Sequence, residues 1–467
     1  MKLEMKVEVV SRETIKPSSP TPHHLRFFKF SLLDQIAPSL HLPLLVFYPA
    51  ASDAATDTHD TEWRRCSTLK KSLSEILTRY YPLAGRIKDD DDGSSNSIID
   101  CNDDGVDYLE ARVVGPQLSD IIGHPDLEVL NPFLPPCDKL YSSTQLPGGF
   151  NVNVVLAVQV NVFECRGMVI GLSISHKIAD ASSYITFIND WAAMARGAAT
   201  DDEQIIKGPR FDDLRSLFPP KDDLKGFMSQ SLIRTDEEIV TKKFVFGGSK
   251  IAELKKRSIL NITNGSVHHE YPTRVQALSA FIWKRFMDVD QARKSAAAAA
   301  AAADTVYGAF VAINMRTRMV PPLPTNSIGN CVTATLAMIN ANKGEKDGYP
   351  DLVGKVREAI KKIDGDHVRK LQTTDALLNS VKLIGEGINS GDQLVLLTFT
   401  SWCKFPIYEA DFGWGNPIWV SISTSPIKNM VCFMDTSSGD GIEAWVNMTK
   451  EEMADFERDE ELLALVS

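Results

Sequence analysis

The stretch VNVVLAVQVNVFECRGMVIGLSISHKIADASSYITFINDWAAMAR, Val152–Arg196, decides the reading of the fold. Val152–Phe163 alternates apolar and polar residues and reads as a strand. Arg166–Gly167 marks a turn, and Met168–Ser175 is a second strand, so the pair predicts a hairpin. From Ala181 the period changes to that of a helix, with Ile185, Ile188, Trp191 and Ala192 on one face as far as Arg196.

The same mixture of signals continues on both sides. Val7–Ile15 has strand propensity and stops at KPSSPTP. Leu40–Tyr48 (LHLPLLVFY) reads as a buried strand despite Pro43. Asp53–Glu62 is polar and acidic and reads as a surface loop. Cys66–Tyr80 places Leu69, Leu73, Ile76 and Leu77 at helical spacing, and Pro82 and Gly85 forbid continuation. Asp89–Asp92 with GSSNS reads as a solvated hairpin tip, since consecutive Asp side chains do not converge on a metal. Gly197–Asp223 has little periodicity and reads as a linker. Beyond it, Lys242–Phe246 and Thr305–Asn314 read as strands, and Lys250–Arg257 and Arg274–Asp288 as helices. The alanine run Ala296–Ala303 favours helix but buries little. This irregular alternation predicts a mixed α/β (α+β) protein, with mixed sheets flanked by helices, over a doubly wound parallel fold. A length of 467 residues exceeds one ordinary core. The expected division is an N-terminal domain over 1–196, a linker over 197–224 and a C-terminal domain over 225–467.

Bulk composition narrows the function. Lys and Arg total 50 against 61 Asp and Glu, a net charge of −11 that repels phosphate backbones and anionic membranes. No run of about 18 apolar residues occurs, so no membrane span is expected. The N-terminus has no apolar h-region, so no secretory signal is expected. The seven Cys are widely spaced without a CxxC pair, which suggests free thiols in a reducing compartment rather than zinc or disulfides. Asn261, Asn264 and Asn447 head N-x-S/T triplets, read as chance matches.

Three places carry candidate chemistry. His176, in SISHKIAD, stands where an apolar strand ends and a helix begins. A neutral imidazole there suits a general base for an alcohol proton. Asp180 follows at the mouth of the helix, where the dipole favours a carboxylate able to orient the loop. In DFGWG, Asp411–Gly415, two Gly flank Trp414 and point to a special backbone turn; a buried Asp411 would need a cation, and Arg316 and Arg318 are available. Thr400–Trp402 ends the apolar run LVLLTF, where a hydroxyl can donate to an oxyanion or simply belong to the core. GxSxG, GxGxxG, GxxxxGK[ST] and HExxH are absent, and the DFG triplet has no kinase companions.

YPLAGR (Tyr81–Arg86), SHKIAD (Ser175–Asp180), NMRTRM (Asn314–Met319), SIGNC (Ser327–Cys331) and TSWCKFPIYEADFGWG (Thr400–Gly415) occur together and in order. In these the chain resembles the plant BAHD acyltransferases, and most nearly the vinorine synthase-like group. The resemblance runs from Ser18 to near the C-terminus. It implies two chloramphenicol acetyltransferase-like domains with a channel between them. Within the channel His176 would be the base, Asp180 would secure its loop from a position turned away from substrate, and Thr400–Trp402 would hold the oxyanion. It further implies that Asp411, with Phe412, Gly413, Trp414, Gly415 and Arg316, supports the fold away from the channel. The implied reaction is direct transfer from an acyl-CoA co-substrate, acetyl-CoA foremost, to an alkaloid or terpenoid alcohol. No metal, nucleic acid or membrane partner is expected, and a cytoplasmic monomer is. The competing readings are a hydroxycinnamoyl or other donor, acylation of an amine, and a catalytically silent binding or scaffold protein on the same fold.

Overall fold

A computed structural model describes residues 4–50, 58–88, 98–124, 126–136, 153–197, 207–222, 224, 237–259, 271–296, 305–340, 348–373, 375–379, 382, 394–425 and 427–466. Along them run strands β1 Lys6–Ile15, β2 Phe27–Lys29, β3 His41–Tyr48, β4 Arg86–Lys88, β5 Ile98–Asp100, β6 Val106–Val114, β7 Leu156–Phe163, β8 Met168–Ser175, β9 Ile239–Phe246, β10 Val306–Asn314, β11 Val332–Asn340, β12 Leu394–Ser401, β13 Trp419–Ser421, β14 Met430–Asp435 and β15 Ile442–Thr449. The main helices are α1 Leu32–Ile36, α2 Thr58–Arg79, α3 Leu118–Ile122, α4 Ala181–Ala195, α5 Asp212–Leu217, α6 Gly248–Arg257, α7 Arg274–Ala296 and α8 Tyr349–Lys361.

The chain divides into two units. The first comprises Met1–Met228, Leu323–Cys331 and Phe405–Thr424; the second comprises Ser229–Pro322, Val332–Lys404 and Ser425–Ser467. These boundaries differ from a cut across 197–224. The DFGWG segment, expected in the C-terminal half, belongs to the first unit because β13 just beyond it pairs with β3, Trp419 opposite Phe47. The expected linker also lies in the first unit and contains α5, and Gln35 holds Lys221 by exchanging hydrogen bonds with its N–H and C=O at 2.9 and 3.0 Å.

The first unit is built on a mixed sheet in the order β1-β6-β7-β8-β3-β13, with a small sheet β2-β5-β4. The hairpin read from the sequence is β7 and β8, paired antiparallel with Leu156 opposite Ile174. Both are buried along nearly their whole length, which is why their apolar runs are almost continuous. Pro43 sits within β3 beyond the stretch Leu45–Phe47 that β13 covers, so its missing N–H does not interrupt that pairing. Helices α2 and α4 pack together, and the Trp191 indole donates to Ser72 Oγ at 3.0 Å across the seam. Helix α2 begins at Thr58, so residues 58–62 are helical rather than loop as expected. Their polar side chains carry no apolar period, which is why the sequence hides this first turn.

The second unit carries its own mixed sheet, β11-β10-β12-β14-β15-β9, with α7 and α8 against it. Asn447 stands inside β15 and is 1% exposed, which closes its N-x-T triplet to glycosylation. Asn261, Asn264, the acidic tip Asp89–Asp92, Cys137 and the alanine run beyond Ala296 lie outside the described residues.

One contact fixes how the hairpin is covered. A Cβ added at Gly171, in the middle of β8, would lie 2.2 Å from the Phe133 carbonyl oxygen, to which Asn161 Nδ2 also donates at 2.8 Å. Overpacking of this kind costs about 1–3 kcal/mol or more where backbone must move. Gly171→Ala should therefore lower the melting temperature by roughly 2–12 °C, at about 2–4 °C per kcal/mol for a unit of this size. A thermal melt unchanged within about 1 °C would show that this segment is not seated on β8.

Candidate active site

The loop after β8 is set by what precedes and follows it. The β3–β8 ladder ends with His41 opposite Ser175, and the His176 N–H continues it by donating to the Leu40 carbonyl at 2.8 Å. The chain turns through Ile178, whose N–H returns to Ser175 O, and reaches Asp180, the N-cap of α4. Asp180 Oδ1 accepts from the Ser183 N–H and Oδ2 from the Cys331 N–H, both at 2.9 Å. Asp180 is buried, and these two hydrogen bonds tie the N-terminus of α4 to residue 331.

His176 itself is half-buried. Its Nδ1 is buried without a hydrogen bond of ordinary geometry, while the Asn330 side chain and the loop backbone lie against the ring. Burial pushes the imidazole pKa below its ordinary 6.5; the Asp180 charge and nearby hydrogen-bonding groups oppose the shift without cancelling it. The ring is accordingly neutral at pH 7.

Two residues with no role read from the sequence complete the loop. Asn330 Nδ2 donates to the His176 carbonyl at 2.7 Å and to Asp34 Oδ1 at 2.9 Å, and the Asn330 N–H donates to the same Asp34 oxygen at 2.7 Å. Asp34 Oδ2 accepts from Ser31 N–H at 3.0 Å and Ser31 Oγ at 2.6 Å. The S-x-x-D of SLLDQI is a capping box for α1, a signal legible in the sequence. Burial raises the Asp34 carboxyl above its usual range, against the pull of these four hydrogen bonds. Lys177, also buried, donates from Nζ to the Gln35 carbonyl at 2.8 Å, a second tie between this loop and α1.

The DFGWG residues make a separate structure in the same unit. Asp411 is half-buried, and its Oδ1 accepts from the N–H groups of Gly413 and Gly415 at 2.8 and 2.9 Å. The expected cationic partner is not what holds this carboxylate. Both glycines have positive φ, 105° and 100°, which the turn requires. Arg196 Nη1 donates to the Asp411 carbonyl. Phe412 and Trp414 stack at 5.7 Å between ring centres; Trp191 meets Phe412 edge-on at 4.9 Å, and the Arg65 guanidinium lies 5.2 Å from the Trp414 ring centre. The motif pins α4 and β3 to one aromatic cluster.

Thr400, Trp402 and Arg316 belong to the second unit. Thr400 pairs with Cys432 of β14, and the Trp402 N–H is committed to the Phe433 carbonyl at 2.8 Å. Arg316 is 2% exposed and its N–H donates to Asn314 Oδ1. Arg318 Nη1 donates to the carbonyls of Ile360 and Ile363 at the end of α8. Burial pushes the thiols of Cys66, Cys101 and Cys403 up to about 12, so none of these three is a nucleophile at neutral pH. Among the described residues no group of three or more His, Cys, Asp or Glu is placed to hold a metal ion, and no helix is long and apolar enough to cross a membrane.

Comparisons with known proteins identify the family. A family model described as the Transferase family matches residues 5–463. The chain belongs to that family, the BAHD acyltransferases, and is an acyltransferase. Vinorine synthase of Rauvolfia serpentina is 40% identical over 96% of this chain and 95% of its own length. The crystal structure of vinorine synthase superposes with a TM-score of 0.79 at 38% identity, covering 99% of both chains. Stemmadenine O-acetyltransferase of Catharanthus roseus is 38% identical over 96% and 95% of the two chains. Limonoid 1-O-acetyltransferase of Citrus sinensis is 37% identical over 99% of each.

The geometry separates two readings of Asp411. A turn needs only an acceptor at Oδ1, so Asp411→Asn should keep most of the stability and activity. Asp411→Ala, which strands two N–H groups, should cost about 1–3 kcal/mol. Thermal melts of both variants decide it: equal, severe losses would mean that the negative charge itself matters.

Proposed function

We propose that this chain transfers an acyl group, acetyl foremost, from an acyl-CoA to a hydroxyl of a bulky alkaloid or terpenoid alcohol, with His176 as general base. The observation that carries the reading is His176 itself. A neutral imidazole on a half-buried residue stands at the end of a buried strand, with its Nδ1 buried. The alkaloid and limonoid O-acetyltransferases among the relatives support the donor and the acceptor class.

In this reading His176 Nε2 takes the hydroxyl proton as the alcohol oxygen bonds to the thioester carbonyl carbon. The tetrahedral intermediate collapses by breaking the carbon–sulfur bond. The departing thiolate, whose conjugate acid has a pKa of about 8.5, takes the proton back from the imidazolium. The products are ester and free coenzyme A, and the histidine ends neutral. No acyl-enzyme is needed, in keeping with three thiols made inert by burial. Asp180 and Asp411 act on the scaffold, through the loop and the DFGWG turn respectively.

Two measurements test this. His176→Ala should cut turnover of acetyl-CoA with its best alcohol by about 10²–10⁴-fold, the contribution of a positioned base. It should leave the melting curve near wild type. Full activity in the variant ends the reading. The pH profile of kcat/KM should fall on the acid side with an apparent pKa below 6.5, because burial depresses the histidine and only its neutral form accepts a proton. An acid limb above 6.5 would contradict the assignment.

A further inference from the structure

Among the described residues no carboxylate holds the His176 imidazole, and the polar side chain lying against it is that of Asn330. In many histidine bases a carboxylate or carbonyl holds the second ring nitrogen. Here Nδ1 is buried without a hydrogen bond of ordinary geometry. The placement of the whole ring depends on where the His176 backbone is held.

That backbone is held on both sides. Its N–H donates to Leu40 O at 2.8 Å and its C=O accepts from Asn330 Nδ2 at 2.7 Å. Asn330 in turn has no slack. Both hydrogens of Nδ2 are used, one on His176 O and one on Asp34 Oδ1, and its backbone N–H also ends on Asp34. Asp34 and Asn330 are 3% and 4% exposed, and all four hydrogen bonds to the carboxylate come from neutral groups. A buried carboxylate without a cation is costly to keep, and an apolar pair of the same shape would pack more cheaply. A fully satisfied polar network does what an apolar contact cannot: it fixes direction.

We infer that Asp34 and Asn330 are positioning residues for the reaction: the Asp34 carboxylate locks the Asn330 amide, and that amide sets the His176 carbonyl and so the place of the imidazole. This rests on the general-base reading of His176. It predicts that loosening the pair lowers turnover without weakening donor binding, because misplacing a reacting group by about 1 Å can cost 10²-fold.

The test uses the full chain, acetyl-CoA as donor, and as acceptor whichever alcohol of an alkaloid and terpenoid panel the wild type turns over fastest. Asn330→Ala should lower kcat by about 10–100-fold while KM for acetyl-CoA stays within about twofold. Ser327→Ala is the control. It removes a 2.6 Å hydrogen bond to Asp213 that anchors the same segment three residues earlier, and should leave kcat near wild type at a comparable loss of melting temperature. Should Asn330→Ala fail to fold, Asp34→Asn replaces it, with the same split expected. A wild-type kcat in either folded variant overturns the proposal. So does an equal kcat loss in Ser327→Ala, and so does a pair whose removal only unfolds the chain. His176→Ala is run alongside. If it stays active, the general-base reading has failed; if it is dead while Asn330→Ala is fully active, only the tether has.

Discussion

Everything at the centre of the first unit hangs on side chains that hold backbone N–H groups of one short segment. Residues 329, 330 and 331 present three successive amides, taken by Ser183 Oγ at 3.1 Å, Asp34 Oδ1 at 2.7 Å and Asp180 Oδ2 at 2.9 Å. Each acceptor is buried and each comes from the stretch of chain before residue 190. A backbone N–H buried without a partner costs as much as a lost hydrogen bond, so the three acceptors are as necessary to the segment as it is to them. The constraint explains why the helix after His176 opens on Asp rather than on another cap. Asp180 has two oxygens, one for its own helix and one for Cys331. Serine or threonine offers a single oxygen for both tasks.

The DFGWG turn answers a different need. The aromatic residues around it would fill a core in many arrangements, and the turn selects one. With Asp411 closing two left-handed glycines, Phe412 and Trp414 are delivered on the same side, stacked, and against Trp191 of α4. The helix that begins with Asp180 is therefore fixed at both ends: by hydrogen bonds at its N-terminus and by rings further along. The Asp411 carboxylate spends Oδ1 on two main-chain donors, which closes the turn.

Local order was legible in the sequence and distant order was not. The β7–β8 hairpin, α4, and the position of His176 between them follow from periods of two and of 3.6 within 45 residues or so, and the structure places them within a few residues of that reading. The start of α2 was hidden because Thr58–Glu62 has no apolar stripe to betray a helix. Strand β13 was hidden because three residues are too few to show a period. The link of Asp34 to Asn330 spans 296 residues, and nothing in either local string announces the other. Chemistry could be proposed from His176 and Asp180, four residues apart; the residues that hold them in place come from far along the chain and needed coordinates.

The order of strands in the first sheet has a consequence for how the chain is made. Strand β3 is laid down early, yet its neighbour on one side, β13, is nearly the last strand to be synthesised. Until residues 419–421 leave the ribosome, the edge along Leu45–Phe47 stays open, and it is apolar. Such an edge invites pairing with another nascent chain. The first sheet is therefore completed only after most of the second half of the chain has been translated.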